Sequence, residues 1–379
     1  MSLLHTQLKD AYQGKTVLLT GHTGFKGSWL SEWLIMLGAR VVGIALPPDT
    51  EPALFEQLGL AERLEHHIID IRDLPALKDK VLETQPDFIF HLAAQPLVRR
   101  SYSEPVETWD VNVMGTIHLL DALRELNQQY KQTKKICASI FITTDKCYEN
   151  REWLHGYREE DPLGGYDPYS SSKAAAELAI ATYRRSFFSV EVADQSPRIG
   201  IASARAGNVI GGGDWAQDRI IPDCIRNLTE GKPIPIRNPN ATRPWQHVLE
   251  PLAGYLQLGA KQASALEAGN VGELKKYCDA FNFGPAVTAN QSVKKLVEQI
   301  FETWPGEWRD ESDPSAPHEA GLLSLTWEKA YHQLGWAPRW GFEQTIETTV
   351  CWYKRQATEK VQAQSLVHAD IKTFEATQS

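Results

Sequence analysis

Three separated segments carry side chains that could do chemistry together. Thr143-Thr144-Asp145-Lys146 offers a hydroxyl, a carboxylate and an amine in succession after the apolar run Ser139-Ile140-Phe141-Ile142. Tyr169-Ser170-Ser171-Ser172-Lys173 sets a phenol and a second amine four residues apart, one helical turn on the same face. An ammonium beside a phenol stabilises the phenolate and draws its pKa toward neutrality, so Tyr169 is a candidate base for a substrate hydroxyl. Thr144 could hydrogen-bond the same hydroxyl, and Lys173 could also hold a ribose.

The third segment, Gly21-His22-Thr23-Gly24-Phe25-Lys26-Gly27, is a grip. It follows the buried-strand pattern Thr16–Thr20 and opens a helix through Trp29, Leu30, Trp33, Leu34 and Leu37, which Gly38 ends. Strand, glycine turn and helix bring backbone N–H groups and a helix N-terminus to one point, which suits a pyrophosphate. Gly21 permits the turn, Gly24 a close backbone approach and Gly27 the packing of helix on strand. Thr23, Phe25 and Lys26 complete the expected cofactor loop. The spacing is GxxGxxG, and no Gly-Lys-Ser/Thr triplet closes it, which disfavours a phosphate-binding loop of the kinase or ATPase type. Asp70, expected at the end of a third strand, could accept from an adenine amino group. Leu46-Pro47-Pro48 stands where an acid for the ribose hydroxyls is expected. No arginine stands there for a 2′-phosphate either, so NAD is favoured over NADP by that lack alone.

These residues need a scaffold, and the first half of the chain supplies a pattern for one. Apolar strands are expected at Thr16–Thr20, Val41–Leu46, His67–Ile71, Phe88–Leu92 and Ser139–Ile142, with helices between them, including one over Val111 to Leu126. Uniformly apolar strands alternating with helices predict an α/β, Rossmann-type doubly wound parallel sheet. After Arg205 the pattern loosens into loops, short strands and a helix near Glu250 to Lys261. The expected organisation is a dinucleotide-binding domain over 1–205 that holds the catalytic residues and a smaller substrate-binding lobe over 206–355, interleaved with the sheet. A polar tail over 356–379 is expected to be frayed or disordered.

Composition narrows the function. A chain of 379 residues with 42% hydrophobic and 23% charged residues reads as globular, and a net charge of -9 argues against a nucleic-acid partner. Five cysteines without a CxxC pair suggest reduced thiols and no metal site. No signal peptide or membrane-length apolar run is evident, so a cytoplasmic location with no membrane partner is expected.

The pattern resembles the extended short-chain dehydrogenase/reductase superfamily over most of the chain. Gly21 to Gly27, His91-Leu92-Ala93-Ala94-Gln95, Asn112, Thr144, Tyr169 and Lys173 fall where that superfamily carries its cofactor and catalytic motifs. Four stretches look like the nucleotide-sugar 4,6-dehydratases that act on CDP-glucose: Gly21 to Trp29, Thr144 to Tyr148, Arg205 to Trp215 and Arg243 to Val248. The resemblance implies NAD, held also by Asp70, Ile71, Leu92, Ala93, Ala94 and Asn112. It implies a nucleotide-sugar substrate, CDP-glucose, met by Gln95, Asn208, Arg219, Arg243 and Gln246. Arg243 offers a planar fork for phosphate, whereas Arg219 reads equally well as an exposed helix position.

The implied reaction oxidises C4, eliminates water across C5 and C6, and returns the hydride to C6. Elimination needs an acid and a base, roles that suit Asp145 and Lys146. Related dTDP-glucose dehydratases carry glutamate at the second position. Here a lysine would have to be neutral to act as base, or would stabilise the enolate while water or another group takes the proton. Two rival readings remain, an NAD-dependent nucleotide-sugar 4-epimerase and a non-catalytic NAD-binding regulator. The resemblance also implies a homodimer paired through Val111 to Leu126 and Ser172 to Phe187, whose Leu119, Leu120, Leu123 and Ala174 to Ala176 look surplus to one sheet face.

Overall fold

A computed structural model describes residues 2–190, 197–217, 219–312 and 322–377. Seven parallel strands form the central sheet. Six are β1 (Thr16–Thr20), β2 (Arg40–Ala45), β3 (Glu65–Ile68), β4 (Phe88–His91), β5 (Cys137–Ile142) and β6 (Ile199–Ala206). The seventh, Ala280–Phe283, comes from the C-terminal half and pairs with β6. The order across the sheet is Ala280–Phe283, β6, β5, β4, β1, β2, β3, so the order in which strands are added reverses between β1 and β4. In such a sheet the crevice at the strand C-termini, where the order reverses, is the place for ligands. The glycine loop after β1 and the Thr144 segment after β5 both open there.

Apart from the edge strand β3, whose residues are half-buried or exposed, the strands are largely buried because helices cover both faces of the sheet. Val17 and Leu19 of β1 point into one core cluster with Trp29, Trp33 and Leu34, and Leu18 points into another with Leu119, Leu120 and Leu123. The first cluster runs without a break from Leu4 to Phe374, so the C-terminal half packs on the same core as the glycine loop.

Four expectations are corrected here. The third strand ends at Ile68, not Ile71: its ladder with β2 stops at the Ala45–Ile68 pair, and the chain then turns where Asp70 Oδ1 accepts from Arg72 N at 2.9 Å. The helix expected over Val111 to Leu126 is a π-helical turn, Asp110–Met114, running into Gly115–Thr133. The tail is not frayed: Ala363–Ala376 is a helix that buries Leu366, Val367, Ile371 and Phe374. Those positions repeat at three- and four-residue spacing, a stripe that average polarity conceals. Phe374 meets Trp33 and Trp340 edge-on, and Glu375 accepts from Trp33 Nε1 at 2.9 Å. Residues 378–379 of that tail lie outside the described residues. Finally, Leu119, Leu120 and Leu123 are fully buried within this one chain, and Ala174 and Ala176 nearly so, so none of them is surplus.

Candidate active site

The catalytic helix spans Pro168–Ser186. Asp167 caps it, accepting from Ser170 N at 2.9 Å, and Pro168 takes the first position, where a missing N–H costs nothing. The helix buries Tyr169 and Lys173 on one face. Across from it, β5 ends and Thr144 caps a short 3₁₀ turn, Asp145–Cys147. Thr144 Oγ1 donates to Asp145 Oδ1 at 2.9 Å. Lys146 Nζ donates to Asp145 Oδ1 at 3.5 Å and to Asn208 Oδ1 at 3.1 Å. Thr144, Asp145, Lys146, Asn208, Tyr169 and Lys173 thus gather at one end of the sheet.

The electrostatics of this cluster differ from the sequence expectation. Burial pushes the Tyr169 phenol up to about 12, and the Asp145 carboxylate adds to the rise, against a hydrogen bond with Thr144 and the charge of Arg219. Lys173 does not draw the phenol toward neutrality in this state. Burial lowers Lys173 itself to about 8, partly offset by Glu177 one turn further along the helix. The dyad is therefore a protonated phenol beside an easily discharged amine, and a cation added at the site would favour the phenolate.

Beneath the dyad lies a charged network that the sequence reading missed. Glu177 accepts from the hydroxyls of Thr143 and Ser203 and from Arg205 Nη2. Arg205 Nη1 also reaches Tyr148 Oη at 2.7 Å, and Tyr148 donates to Asn282 on the seventh strand. Burial opposes the charge on Glu177, but Arg205 and the two hydroxyls hold it below the usual carboxylate range. A paired, hydrogen-bonded buried carboxylate fixes the face of the helix that carries Lys173. The available signal was Glu177 itself, four residues after Lys173.

The glycine loop fits a dinucleotide. Gly21 has φ +76°, and a Cβ there would stand 2.6 Å from Ala93 N. At Gly27 a Cβ would stand 2.1 Å from Gly21 O, so side chains are excluded at both positions. Gly24 is exposed, and a Cβ there would meet only Gly21 O at 3.5 Å. No side chain caps the Phe25–Met36 helix, which leaves its first N–H groups for an anion. Thr23 is engaged with Leu46 O, while Leu92, Ala93 and Ala94 lie half-exposed beside the loop.

Other expected contacts are placed elsewhere. Gln95 spends its amide on Leu97 N, Leu97 O and Thr108 Oγ1, so it stiffens the loop after β4 and has no donor left for substrate. Asn112 is likewise saturated: it accepts from Gln95 N and donates to Gln95 O and Ser172 Oγ, bracketing loop to helix. Gln246 is buried and donates to Phe283 O. Asp70 is gripped by the Arg72 guanidinium, and Ile71 is buried against Gly115. Arg219 is not a free helix position; it begins the Ile220–Thr229 helix, pairs with Asp214 at 2.9 Å and feels the charge of Tyr169. Arg243 donates to its neighbour Thr242 O on the strand Thr242–Pro244.

The model of the family described as GDP-mannose 4,6 dehydratase matches residues 18–349. The chain belongs to that family. It is 48% identical over 348 residues to a CDP-glucose 4,6-dehydratase of Salmonella typhimurium, covering 91% of this chain and 92% of that one. It is 27% identical to a dTDP-glucose 4,6-dehydratase of Haemophilus influenzae, over 89% and 97%. Its fold matches a dTDP-glucose 4,6-dehydratase from Bacillus anthracis in complex with NAD, with a TM-score of 0.69 at 22% identity over 90% and 97%. The fold likewise matches an epimerase from Methanothermobacter thermautotrophicus, with a TM-score of 0.71 at 21% identity over 97% and 98%. Dehydratases and epimerases share this scaffold, so the side chains at the site must separate them.

Within the dehydratase family frame, Gly24 gives a test of the grip. Gly24→Val should fold normally, because protein atoms leave its Cβ room, and should weaken NAD binding about a hundredfold, roughly 2.8 kcal/mol. Calorimetry with NAD, alongside circular dichroism, reads both parts. Unchanged affinity would place the pyrophosphate elsewhere.

Proposed function

We propose that this chain is a nucleotide-sugar 4,6-dehydratase, a hydro-lyase that converts CDP-glucose to CDP-4-dehydro-6-deoxyglucose. The observation that carries the reading is the convergence of Asp145 and Lys146 on Thr144 beside the Tyr169 and Lys173 helix. Oxidising and re-reducing C4, as an epimerase does, leaves an acid and an extra amine without work. The 48% identity to the Salmonella enzyme supports cytidine as the base.

NAD bound at the glycine loop supplies a hydride acceptor at C4 and a hydride donor at C6. The chain supplies the rest. Tyr169 takes the O4 proton, with Thr144 aligning the same oxygen and Lys173 offsetting the phenolate charge. Asp145 takes up the proton lost from C5 by way of Lys146, whose Nζ it meets, and gives it to the departing C6 hydroxyl, which leaves as water. Lys146 supports loss of the C5 proton, and Asn208 holds its ammonium in place. Arg219 and Arg243 are the candidate partners for the diphosphate.

Incubation with CDP-, UDP- and dTDP-glucose tests the reading. The expected result is a 4-keto-6-deoxy product, which absorbs strongly in alkali, from CDP-glucose first. An epimerised sugar, or an unchanged one, would overturn it in favour of the epimerase or the regulator.

The proposed assembly is a homodimer working in the cytoplasm. Exposed Met114, Leu178 and Phe187 lie on the two segments, Val111 to Leu126 and Ser172 to Phe187, and with exposed Val106 and Trp109 on the preceding short helix Pro105–Trp109 they support pairing there. All five cysteines are free thiols, as a reducing compartment requires, and no described helix is long and apolar enough to cross a membrane. Light scattering at micromolar concentration should give twice 42.6 kDa, and Leu178→Arg should shift it toward one chain. A wild-type mass of one chain would refute the dimer.

A further inference from the structure

Lys26 stands in the glycine loop, where such loops otherwise present backbone to a dinucleotide, yet its side chain is turned inward. Its Nζ donates to Tyr255 Oη at 2.9 Å and lies 5.2 Å from the centre of that ring. Tyr255 belongs to the Leu249–Glu267 helix, is fully buried, and packs edge-on against Phe283 of the seventh strand. The amine therefore lies between the cofactor loop and the core.

The charged and titratable groups around it come from every element that meets there. Arg219, at the start of the Ile220–Thr229 helix, and Lys173, on the catalytic helix, repel its charge, whereas Asp145 on the 3₁₀ turn attracts it. Tyr255 in turn feels the charge of Tyr169. Among the described residues the only hydrogen-bond partner of Nζ is a phenol, and a phenol can accept from an ammonium or donate to a neutral amine. Lys146, by contrast, is tied to a carboxylate and an amide oxygen.

We propose that Lys26 is a charge-compensating residue for the redox cofactor, neutral while the cationic oxidised nicotinamide is bound and protonated while the neutral reduced one is. This rests on the reading of the loop as an NAD grip. A Lys26 that can discharge avoids placing two cations in one low-dielectric pocket, and one that can recharge takes up a proton as the ring loses its charge. Tyr255 serves both states by reversing its hydrogen bond. Burial first, then Arg219 and Lys173, lower Lys26 to about 7, which puts the switch within the working range.

The sign follows. Below about pH 7 the ammonium attracts the pyrophosphate in both redox states but repels only the oxidised nicotinamide, so affinity for NAD relative to NADH should rise with pH through that point. The ratio of the two dissociation constants, measured by calorimetry from pH 6 to 9 on protein stripped of nucleotide, should change on the order of tenfold. Lys26→Met should remove the pH dependence and fix the ratio near the wild-type alkaline value. Lys26→Arg, which cannot discharge, should fix it near the acidic value. Tyr255→Phe should keep the dependence but move its midpoint, because each protonation state loses its hydrogen bond and the two losses differ. Binding of both nucleotides with a pH-independent ratio in the wild type, or the same pH dependence in all variants, would overturn the inference alone. Failure to bind either nucleotide would overturn the NAD reading with it.

Discussion

Tyr169→Phe is expected to bind NAD and CDP-glucose and to lose cofactor reduction by a factor of about 10²–10⁴, the range for removal of a positioned general base. The substitution deletes one hydroxyl from a side chain that is 8% exposed, so the helix and its Asp167 cap are left in place. Single-turnover formation of reduced nicotinamide is the measurement. A near wild-type rate would show that another group takes the O4 proton. The pH dependence has a definite sign. With the phenol near 12, the wild-type oxidation rate should climb as pH rises through neutrality toward alkaline values. A cationic nicotinamide moves that climb to lower pH, since a nearby positive charge favours the phenolate. Tyr169→Phe should flatten the limb that the phenol contributes.

What the sequence disclosed and what it hid divide along a physical line. Features set by short-range spacing were legible. Gly27 is forced by the Gly21 and His22 backbone a few residues away and Gly21 by its positive φ, and Tyr169 and Lys173 share a face by helical geometry alone. The alternation of buried strands with helices was enough to give the sheet class, although the seventh strand, Ala280–Phe283, arrives from far along the chain.

Roles that depend on which partner a polar group meets in three dimensions were not legible. Gln95 and Asn112 are polar, near the cofactor motifs, and matched to the superfamily pattern. Only the structure shows that they bond to each other and to Leu97, Thr108 and Ser172. Arg205 and Glu177 sit 28 residues apart and meet because β6 runs under the catalytic helix. The Tyr169 pKa was misjudged for a related reason. Spacing reveals the neighbouring lysine, but not the burial and the Asp145 charge that outweigh it. Leu119, Leu120 and Leu123 looked surplus to one sheet face, but they share a core cluster with Leu18, Ile44, Ile89 and Phe141 from four different strands.

Asp145→Asn and Lys146→Ala should stall the reaction after oxidation, with reduced cofactor accumulating on the enzyme together with a 4-keto sugar that retains its C6 hydroxyl. The oxidation uses Thr144, Tyr169 and Lys173, none of which either substitution removes. Asp145 donates no proton in that step. Its charge raises the Tyr169 phenol, so Asp145→Asn should move the pH profile of oxidation toward lower pH while blocking dehydration by about 10²–10⁴-fold. The amide can still accept from Thr144 Oγ1, which keeps the 3₁₀ turn capped and separates loss of an acid from loss of the fold. Lys146→Ala removes the amine shared by Asp145 and Asn208, so it should also slow exchange of the C5 hydrogen with deuterated water. Asp145→Asn should leave that exchange in place, because the C5 proton departs before the hydroxyl does. Stopped-flow absorbance of the nicotinamide and mass analysis of the trapped sugar distinguish the two. If neither variant reduces the cofactor, the pair serves substrate binding or the turn itself, and elimination must draw its acid from elsewhere in the cluster.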